Sequence, residues 1–283
     1  MTDIHFGVPY KFRMRQAFKY PSHNENFEEW FLDNYCEEDI IPDRQYLPIF
    51  WNGYHVGHNY GNDPFAVKEL QQFIDGLDRN KKYWTIHQFD LGTMVDFKDL
   101  DIICFGMSGG RIDVPIPLVM LPHPWHIGMN KTIFLNFIGR RTHMIRDIIF
   151  QTIKHGGRNY IAEHAHQPKA YCDVIAQSSF TLCPRGFGLS SFRIAEALQY
   201  QSVPVYISDS YVYPFSVPFE EYGVIIDAKY ANKVEERLGM IPHSEIEKKR
   251  KRGIEIYQEY FTYEGCKRNI LKYLKNDKEN KLG

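Results

Sequence analysis

The alternation of apolar runs with helical patterns constrains the fold of this chain more than any other feature. TIFLNFI (132–138) and PVYI (204–207) are nearly continuous apolar runs, as expected for strands of a sheet that is covered on both faces. The segments between such runs, for example 142–155 and 190–200, carry apolar residues at helical spacing. Because strands that alternate with helices form parallel sheets, the sequence predicts an α/β fold.

The alternation begins in the first half of the chain and becomes more regular in the second half. A helix over 64–80 begins at Asp63 and Pro64, a capping residue followed by a residue suited to the first helical position. We predict strands at 46–51, 83–89, 101–106, 116–120, 131–139, 158–162, 179–184, 202–209 and 223–227. Further helices are predicted at 142–155, 168–178 and 190–200, and two or three more between about 230 and 276.

One segment, PHPWHIGMN (122–130), interrupts the alternation, and we interpret it as the connection between two domains. We therefore predict two Rossmann-like, doubly wound domains, residues 1–128 and 129–260, that face one another across a cleft. Each would contain about 130 residues, which is within the usual range for a domain. Residues 261–283 are predicted to form a C-terminal helix that packs back on the N-terminal domain.

Composition excludes several classes of protein. The 34 basic and 35 acidic side chains nearly balance, so the chain has no overall basic field for nucleic acid, and anion binding must depend on local placement. Five cysteines are scattered without a CxxC pair, which favours a reducing compartment. No window of 18 residues is uninterruptedly apolar, and the N-terminal residues show no apolar leader. We expect a soluble, cytoplasmic protein without a membrane span.

The loop PRGFGLSS (184–191) lies between a predicted strand and a predicted helix, where open parallel sheets bind their ligands. Its glycines allow the backbone to approach a ligand, and its serines can cap the next helix, whose free N–H groups favour an anion. Its arginine offers a forked cation suited to phosphate oxygens. The candidate phosphate ligands of this loop are Arg185, Gly186, Gly188, Ser190 and Ser191.

The helix that follows carries Arg193, Glu196 and Tyr200 on one stripe, and Arg193 is a further candidate ligand of the diphosphate. Glu196 is well placed to accept hydrogen bonds from the diol of a ribose. The alternative is a surface ion pair between Arg193 and Glu196, which would contribute little.

A second basic loop supports the phosphate interpretation. Arg140 and Arg141 directly follow the predicted strand 131–139, and Arg146 lies one helical turn further on. Both loops are expected to open on the same edge of one sheet. The other phosphate motifs, GxxxxGK[ST] and GxGxxG, are absent, which argues against a P-loop enzyme and against a dehydrogenase.

These residues resemble a known family. The block F-x-L-C-P-R-G-x-G-x-S-S-x-R-x-x-E-A-L-x-x-x-x-V-P-V (180–205) is similar to the signature of exostosin-like glycosyltransferases. LNFIGRR (135–141), Tyr171 with Ser178-Ser179-Phe180, and ISDSYVYPF (207–215) resemble further elements of the family. HQFDLG (87–92) resembles its H-D-x-G segment with the histidine displaced, and Gln201-Ser202 replaces a glycine that the family has before the last strand.

The resemblance implies inverting transfer of a sugar from a nucleoside diphosphate, usually a uridine one, between two Rossmann-like halves (a GT-B-type fold). It also implies that no catalytic metal and no other cofactor is needed. The expected partners are a UDP-sugar donor and an oligosaccharide or glycoprotein glycan acceptor. Family members usually carry an N-terminal membrane anchor, and this sequence shows no such apolar segment. We therefore expect a free-standing cytoplasmic version, as in large algal viruses or bacteria. We take UDP-xylose as the expected donor, although no residue pattern in the sequence selects xylose.

Inverting transfer needs a base that takes the proton of the acceptor hydroxyl. Asp90 is the first candidate because it follows a predicted strand within the segment that resembles the family, and His87 is the second. Asp63 and Asp96 are weaker candidates. The alternative for Asp90 is a turn or capping residue.

Two other hypotheses stay open at this level. Three histidine pairs, in HVGH (55–58), HPWH (123–126) and HAH (164–166), raise the question of a metal site, but no third ligand follows at metal-binding spacing. The same fold could also serve as a non-catalytic nucleotide- or glycan-binding module, which would keep Arg185 and Glu196 but lack the base.

Overall fold

A computed structural model describes residues 7–15, 26–128, 130–164 and 167–276. The chain divides into two compact units, Met1–Ile116 with Cys266–Gly283, and Pro117–Gly265. The first unit ends at Ile116 before it resumes at Cys266, whereas the sequence predicted the end of the first domain at residue 128. Each unit contains a parallel sheet, and the predicted class, α/β with two Rossmann-like domains, is confirmed. Among the described helices, none is both long enough and apolar enough to cross a bilayer.

The first unit contains a four-stranded parallel sheet in the order β1-β2-β3-β4. Its strands are β1 Gln45–Tyr46, β2 Tyr83–His87, β3 Ile102–Gly106 and β4 Val114–Pro115. Its helices are α1 Phe27–Asp33, α2 Trp51–Gly57, α3 Pro64–Asp75 and, from Cys266 onwards, the last helix of the chain. As predicted, Asp63 caps α3, accepting hydrogen bonds from the N–H groups of Phe65 and Ala66.

Two predicted strands are wrong, one in the first unit and one across the boundary between the units, and proline explains both. The strand at 46–51 ends at Tyr46, and Trp51 already begins α2. Residues 116–120, which were predicted as a strand, lie outside the sheet, although most of their side chains are buried. Pro48 and Pro117 have no N–H to donate to a neighbouring strand, so apolar burial there is achieved without strand pairing.

The second unit contains a five-stranded parallel sheet in the order β6-β5-β7-β8-β9. Its strands are β5 Ile133–Ile138, β6 Asn159–Ala162, β7 Ser178–Pro184, β8 Val203–Ser208 and β9 Val224–Asp227. Its helices are α4 Met144–Thr152, α5 Pro168–Gln177, α6 Arg193–Gln199, α7 Val234–Gly239 and α8 His243–Ile256, and α9 Tyr263–Asn276 follows. The strands predicted for this part of the chain are confirmed. Leu135, Leu182 and Val205 of its central strands are fully buried, as their continuous apolar runs indicated.

The strand order places a ligand crevice at one position in this sheet. From β5 the chain moves outward to β6, and then returns to β7 on the other side of β5. In such doubly wound sheets the loops after the two strands that flank the reversal leave a crevice at the carboxyl edge. The loops after β5 and β7 are the two basic loops of the sequence analysis.

Candidate functional site

Arg146 joins the two basic loops. Its side chain, from α4, is buried, and its guanidinium group donates hydrogen bonds to three backbone carbonyls. Nε donates to Arg185 O at 3.0 Å, Nη2 to Pro184 O at 3.2 Å, and Nη1 to Arg140 O at 3.1 Å. Pro184 ends β7, Arg185 follows it, and Arg140 lies after β5, so this arginine fastens one loop to the other.

Arg193 has a similar role at the end of β5. Its Nε and Nη2 donate to the carbonyl of Ile138 at 2.9 and 2.7 Å, and its guanidinium carbon lies 5.3 Å from the ring centre of Phe137. The two glycines nearest these arginines make room for them. A Cβ at Gly139 would collide with the guanidinium of Arg193, and a Cβ at Gly186 would lie 2.9 Å from Nη2 of Arg146.

Arg185 brings a third loop into the site. Its Nη1 donates to Oδ1 of Asp209 at 2.5 Å, and its Nη2 donates to the carbonyl of Phe187 at 3.2 Å. Asp209 follows β8, so the loops after β5, β7 and β8 meet at one edge. The hydrogen bond from Arg185 lowers the pKa of Asp209, which keeps this carboxylate ionised. The Arg185 side chain retains 17% of its exposure, so a ligand can reach it.

The remaining predicted loop residues differ in their exposure. Arg140 is exposed at the tip of the loop after β5. Arg141 instead pairs with Glu163 at 2.6 Å and Asp147 at 3.1 Å, which orients it toward surface carboxylates. Ser191 Oγ accepts a hydrogen bond at 3.3 Å from the N–H of Arg193, the first residue of α6, although the N-cap position itself is Phe192. Ser190 is half-buried and Gly188 is buried.

Glu196 lies inside a polar cluster, not on the surface. Its side chain is 6% exposed, which contradicts the alternative of a surface ion pair with Arg193. The hydroxyl of Tyr171 donates to Oε2, and Nε2 of His123 lies 3.3 Å from Oε1. Burial alone would lower the pKa of His123, but hydrogen bonds with Cys172 and Glu196 outweigh it and raise this pKa to about 9. At neutral pH the cluster therefore contains a buried imidazolium beside Glu196.

His123 was not predicted as a partner of Glu196, because HPWH was interpreted as part of a connection between domains and as a possible metal-binding pair. Among residues 7–15, 26–128, 130–164 and 167–276 no group of three His, Cys, Asp or Glu side chains is arranged to hold a metal ion. His55 of the first pair is buried, and its Nε2 donates to the carbonyl of Thr93 at 2.9 Å. His166 of the third pair lies outside the described residues.

The two candidate bases lie in the first unit, at the carboxyl end of β2. His87 is fully buried, and its Nε2 donates to the carbonyl of Arg111 at 3.0 Å. Burial lowers the pKa of His87 to about 4. Asp90 is half-buried in the loop that follows. That loop is tightly packed, because Gly92 (φ +77°) and Gly109 bring its backbone against the loop after β3.

The weaker base candidates have local structural roles. Asp63 is the cap of α3, and Asp96 accepts a hydrogen bond from the N–H of Lys98 at 2.8 Å. These contacts fit the ordinary behaviour of aspartate at helix starts and turns.

A carboxyl group that the sequence did not single out lies beside the candidate bases. Glu28 of α1 is 1% exposed and accepts hydrogen bonds from the N–H groups of Gln88 at 2.6 Å and Asn52 at 3.1 Å. Burial raises its pKa to about 8. Glu28 thus anchors the start of α2 to the end of β2, two residues before Asp90.

Comparisons with known proteins agree on one family. A family model described as the Exostosin GT47 domain matches residues 81–241. The exostosin-1 homolog of Caenorhabditis elegans is 25% identical over 249 residues, which cover 69% of this chain and 65% of that protein. A probable beta-1,4-xylosyltransferase of Arabidopsis thaliana is 34% identical over 86 residues, 30% of this chain and 21% of that protein. The chain thus spans less than two thirds of the curated relatives it matches.

Among solved structures, an alpha-glucosyltransferase in complex with UDP and a 13-mer DNA aligns with 88% of this chain and 94% of its own. Its sequence identity is 10% and its TM-score 0.43, a likeness too distant to bear on function.

Proposed function

The chain belongs to the exostosin GT47 family, and from this premise we propose that it is an inverting glycosyltransferase. It would transfer a sugar from a UDP-sugar, with UDP-xylose as the first donor to test, to a hydroxyl group of a glycan. The observation that carries this proposal is the meeting of three loops at the carboxyl edge of the second sheet, where Arg185 and the glycine-containing loop lie.

The diphosphate is the first group that the site must hold. As the bond from the sugar to the diphosphate breaks, the electron pair moves to the diphosphate, and preorganised donors stabilise the growing charge. We assign direct contact to Arg185, Arg140 and the backbone N–H groups from Gly186 to Ser191. Arg146 and Arg193 would act by holding the loops in place, because their guanidinium groups already donate to backbone carbonyls.

The ribose is the second group, and we assign it to Glu196. A carboxylate has about four acceptor sites, and Tyr171 and His123 occupy one on each oxygen. The sites that remain can accept hydrogen bonds from the two ribose hydroxyls.

The acceptor hydroxyl is the third, and we propose Asp90 as the base that takes its proton while the acceptor oxygen bonds to the sugar carbon. Between the two candidates we favour Asp90 because His87 has no exposed surface. We also propose that charge is stabilised by Arg185 and the backbone amides and that no metal is required. Activity that is undiminished in EDTA would support this part of the proposal.

The test is a binding and transfer screen with UDP-, GDP- and CDP-sugars, including UDP-xylose, followed by variants. Glu196→Ala should raise the donor KM strongly, because the ribose loses its acceptor. Glu247→Ala, on α8, is the matched control and should leave the KM unchanged. Binding without transfer or hydrolysis would favour the non-catalytic module. Absence of binding by every nucleotide sugar, or an unchanged KM in Glu196→Ala, would overturn the proposal.

A further inference from the structure

We propose that His123 and Tyr171 are positioning residues that fix the Glu196 carboxylate in the orientation required to bind the nucleotide of the donor. This inference rests on the proposed function, because it assumes that Glu196 contacts the donor. It extends that function to the segment 122–130, which the sequence indicated as a connection between domains.

The backbone of this segment is fastened to α6. The N–H of His123 donates to Oε1 of Gln199 at 3.0 Å, and Nε2 of Gln199 donates back to the carbonyl of His123 at 2.8 Å. Gln199 lies one helical turn after Glu196, so this reciprocal pair holds the histidine beside the carboxylate. The position of the imidazole is thus set by two bonds that do not involve its own ring.

The ring of His123 is also fixed by its neighbours. Its centre lies 5.9 Å from that of Trp125 and 6.2 Å from that of Tyr200, both nearly parallel to it. The hydroxyl of Tyr200 donates to the carbonyl of Trp125 at 3.2 Å, which closes the stack. With 3% of its side chain exposed, His123 is enclosed by these neighbours.

A fixed carboxylate has a functional consequence. Removing two charged groups from water is costly, so a buried ion pair by itself contributes little to the free energy of unfolding. Here the pair determines which acceptor sites of Glu196 remain and where they point. Since preorganised groups bind a ligand without paying for their own ordering, such a carboxylate should hold a ribose diol more tightly than a mobile one.

Because the imidazole of His123 can lose its proton, the affinity for UDP is expected to depend on pH. The titratable groups that face His123 are Glu196 on α6, Tyr171 and Cys172 on α5, and Tyr200 at the end of α6. Because the pKa of His123 is raised to about 9, the imidazolium persists through neutral pH and is lost as the pH rises through that value. UDP affinity should weaken across the same range.

The experiment compares His123→Gln and Tyr171→Phe with wild type by calorimetric titration of UDP from pH 6.5 to 9.5. The matched control is His155→Gln, because the ring of His155 also makes a hydrogen bond, to the backbone of Ile161, but lies outside the cluster. Loss of one hydrogen bond to a charged group corresponds to roughly 10- to 100-fold weaker UDP binding at pH 7. The donor KM should rise by a similar factor while kcat changes little, and in His123→Gln the weakening above pH 8 should disappear.

A double variant separates positioning from general stability. If His123 acts through Glu196, His123→Gln should weaken UDP binding no further in the Glu196→Ala background, whereas independent effects would add. Additive losses, or an unchanged Kd in both single variants, would overturn the positioning role. Should His123→Gln fail to fold, Tyr171→Phe decides, since it keeps the ring packing and the ion pair. If wild type does not bind UDP, the proposed function fails first, and the two failures are thereby distinguished.

Discussion

Arg146 offers the most direct test of how the site is built, through the substitution Arg146→Lys. The sequence alone assigned this arginine to the diphosphate, whereas the structure shows its guanidinium donating to the carbonyls of Arg140, Pro184 and Arg185. Lysine keeps the positive charge but is a point donor without the rigid fork, so it can satisfy about one of these three carbonyls. The substitution therefore distinguishes the contribution of the positive charge at position 146 from that of the forked guanidinium group.

The magnitude follows from the bonds that are lost. Hydrogen bonds to a charged donor contribute about 1.5–3 kcal/mol each, and we take the lower end because the loops lie near solvent. Two lost bonds then cost about 3 kcal/mol. For a unit of roughly 150 residues, Pro117–Gly265, this corresponds to a fall in Tm of about 6–12 °C. UDP affinity should fall as well, because the loops after β5 and β7 are no longer held together.

The assay is thermal unfolding followed by circular dichroism, combined with UDP titration. Arg141→Lys, in the loop that precedes α4, is the matched control: its partners Glu163 and Asp147 are exposed, so the change should cost less than about 1 kcal/mol. An unchanged Tm with lost UDP binding would refute the structural role and return Arg146 to the phosphate contacts. An unchanged Tm with unchanged binding would show that the loops are held by other contacts.

Two further predictions concern the first unit. Asp90→Asn should lower kcat by at least about 100-fold without lowering Tm, because a general base contributes that much to proton transfer; near-normal turnover, measured by release of UDP, would exclude the role. Glu28→Gln should flatten the dependence of unfolding free energy on pH. Since the folded pKa of Glu28, about 8, lies above its ordinary value of 4.5, the folded state binds the extra proton, and wild type should lose stability as the pH rises from 4.5 to 8. Urea unfolding of both proteins at pH 5, 6.5 and 8 measures the difference, and parallel pH profiles would contradict the prediction.

The sequence predicted the second unit better than the first for a physical reason. Strands such as β5 and β7 are covered on both faces, so their apolar runs are continuous and leave little choice of register or class. In the first unit, β1 and β4 contain two residues each, and prolines interrupt the runs beside them. Burial of Leu47 and Ile49 was foreseeable there, but strand pairing was not, because hydrophobicity reports burial and not hydrogen bonding.

The site shows the same limit at the level of single side chains. The sequence could place Arg146, Arg185 and Glu196 at one sheet edge, because the strand order follows from the alternation of elements. It could not tell which of them would be saturated by the protein itself, since that depends on which carbonyls lie within reach after the loops fold. We therefore propose Arg146 and Arg193 as supports of the loops and no longer as direct ligands, and Glu196, the candidate ribose ligand, lies in a buried cluster with His123. Arginines that follow parallel strands predict an anion site well. Tight loops, however, leave backbone carbonyls that also require hydrogen-bond donors. Fewer guanidinium groups are therefore left for the anion than there are arginines.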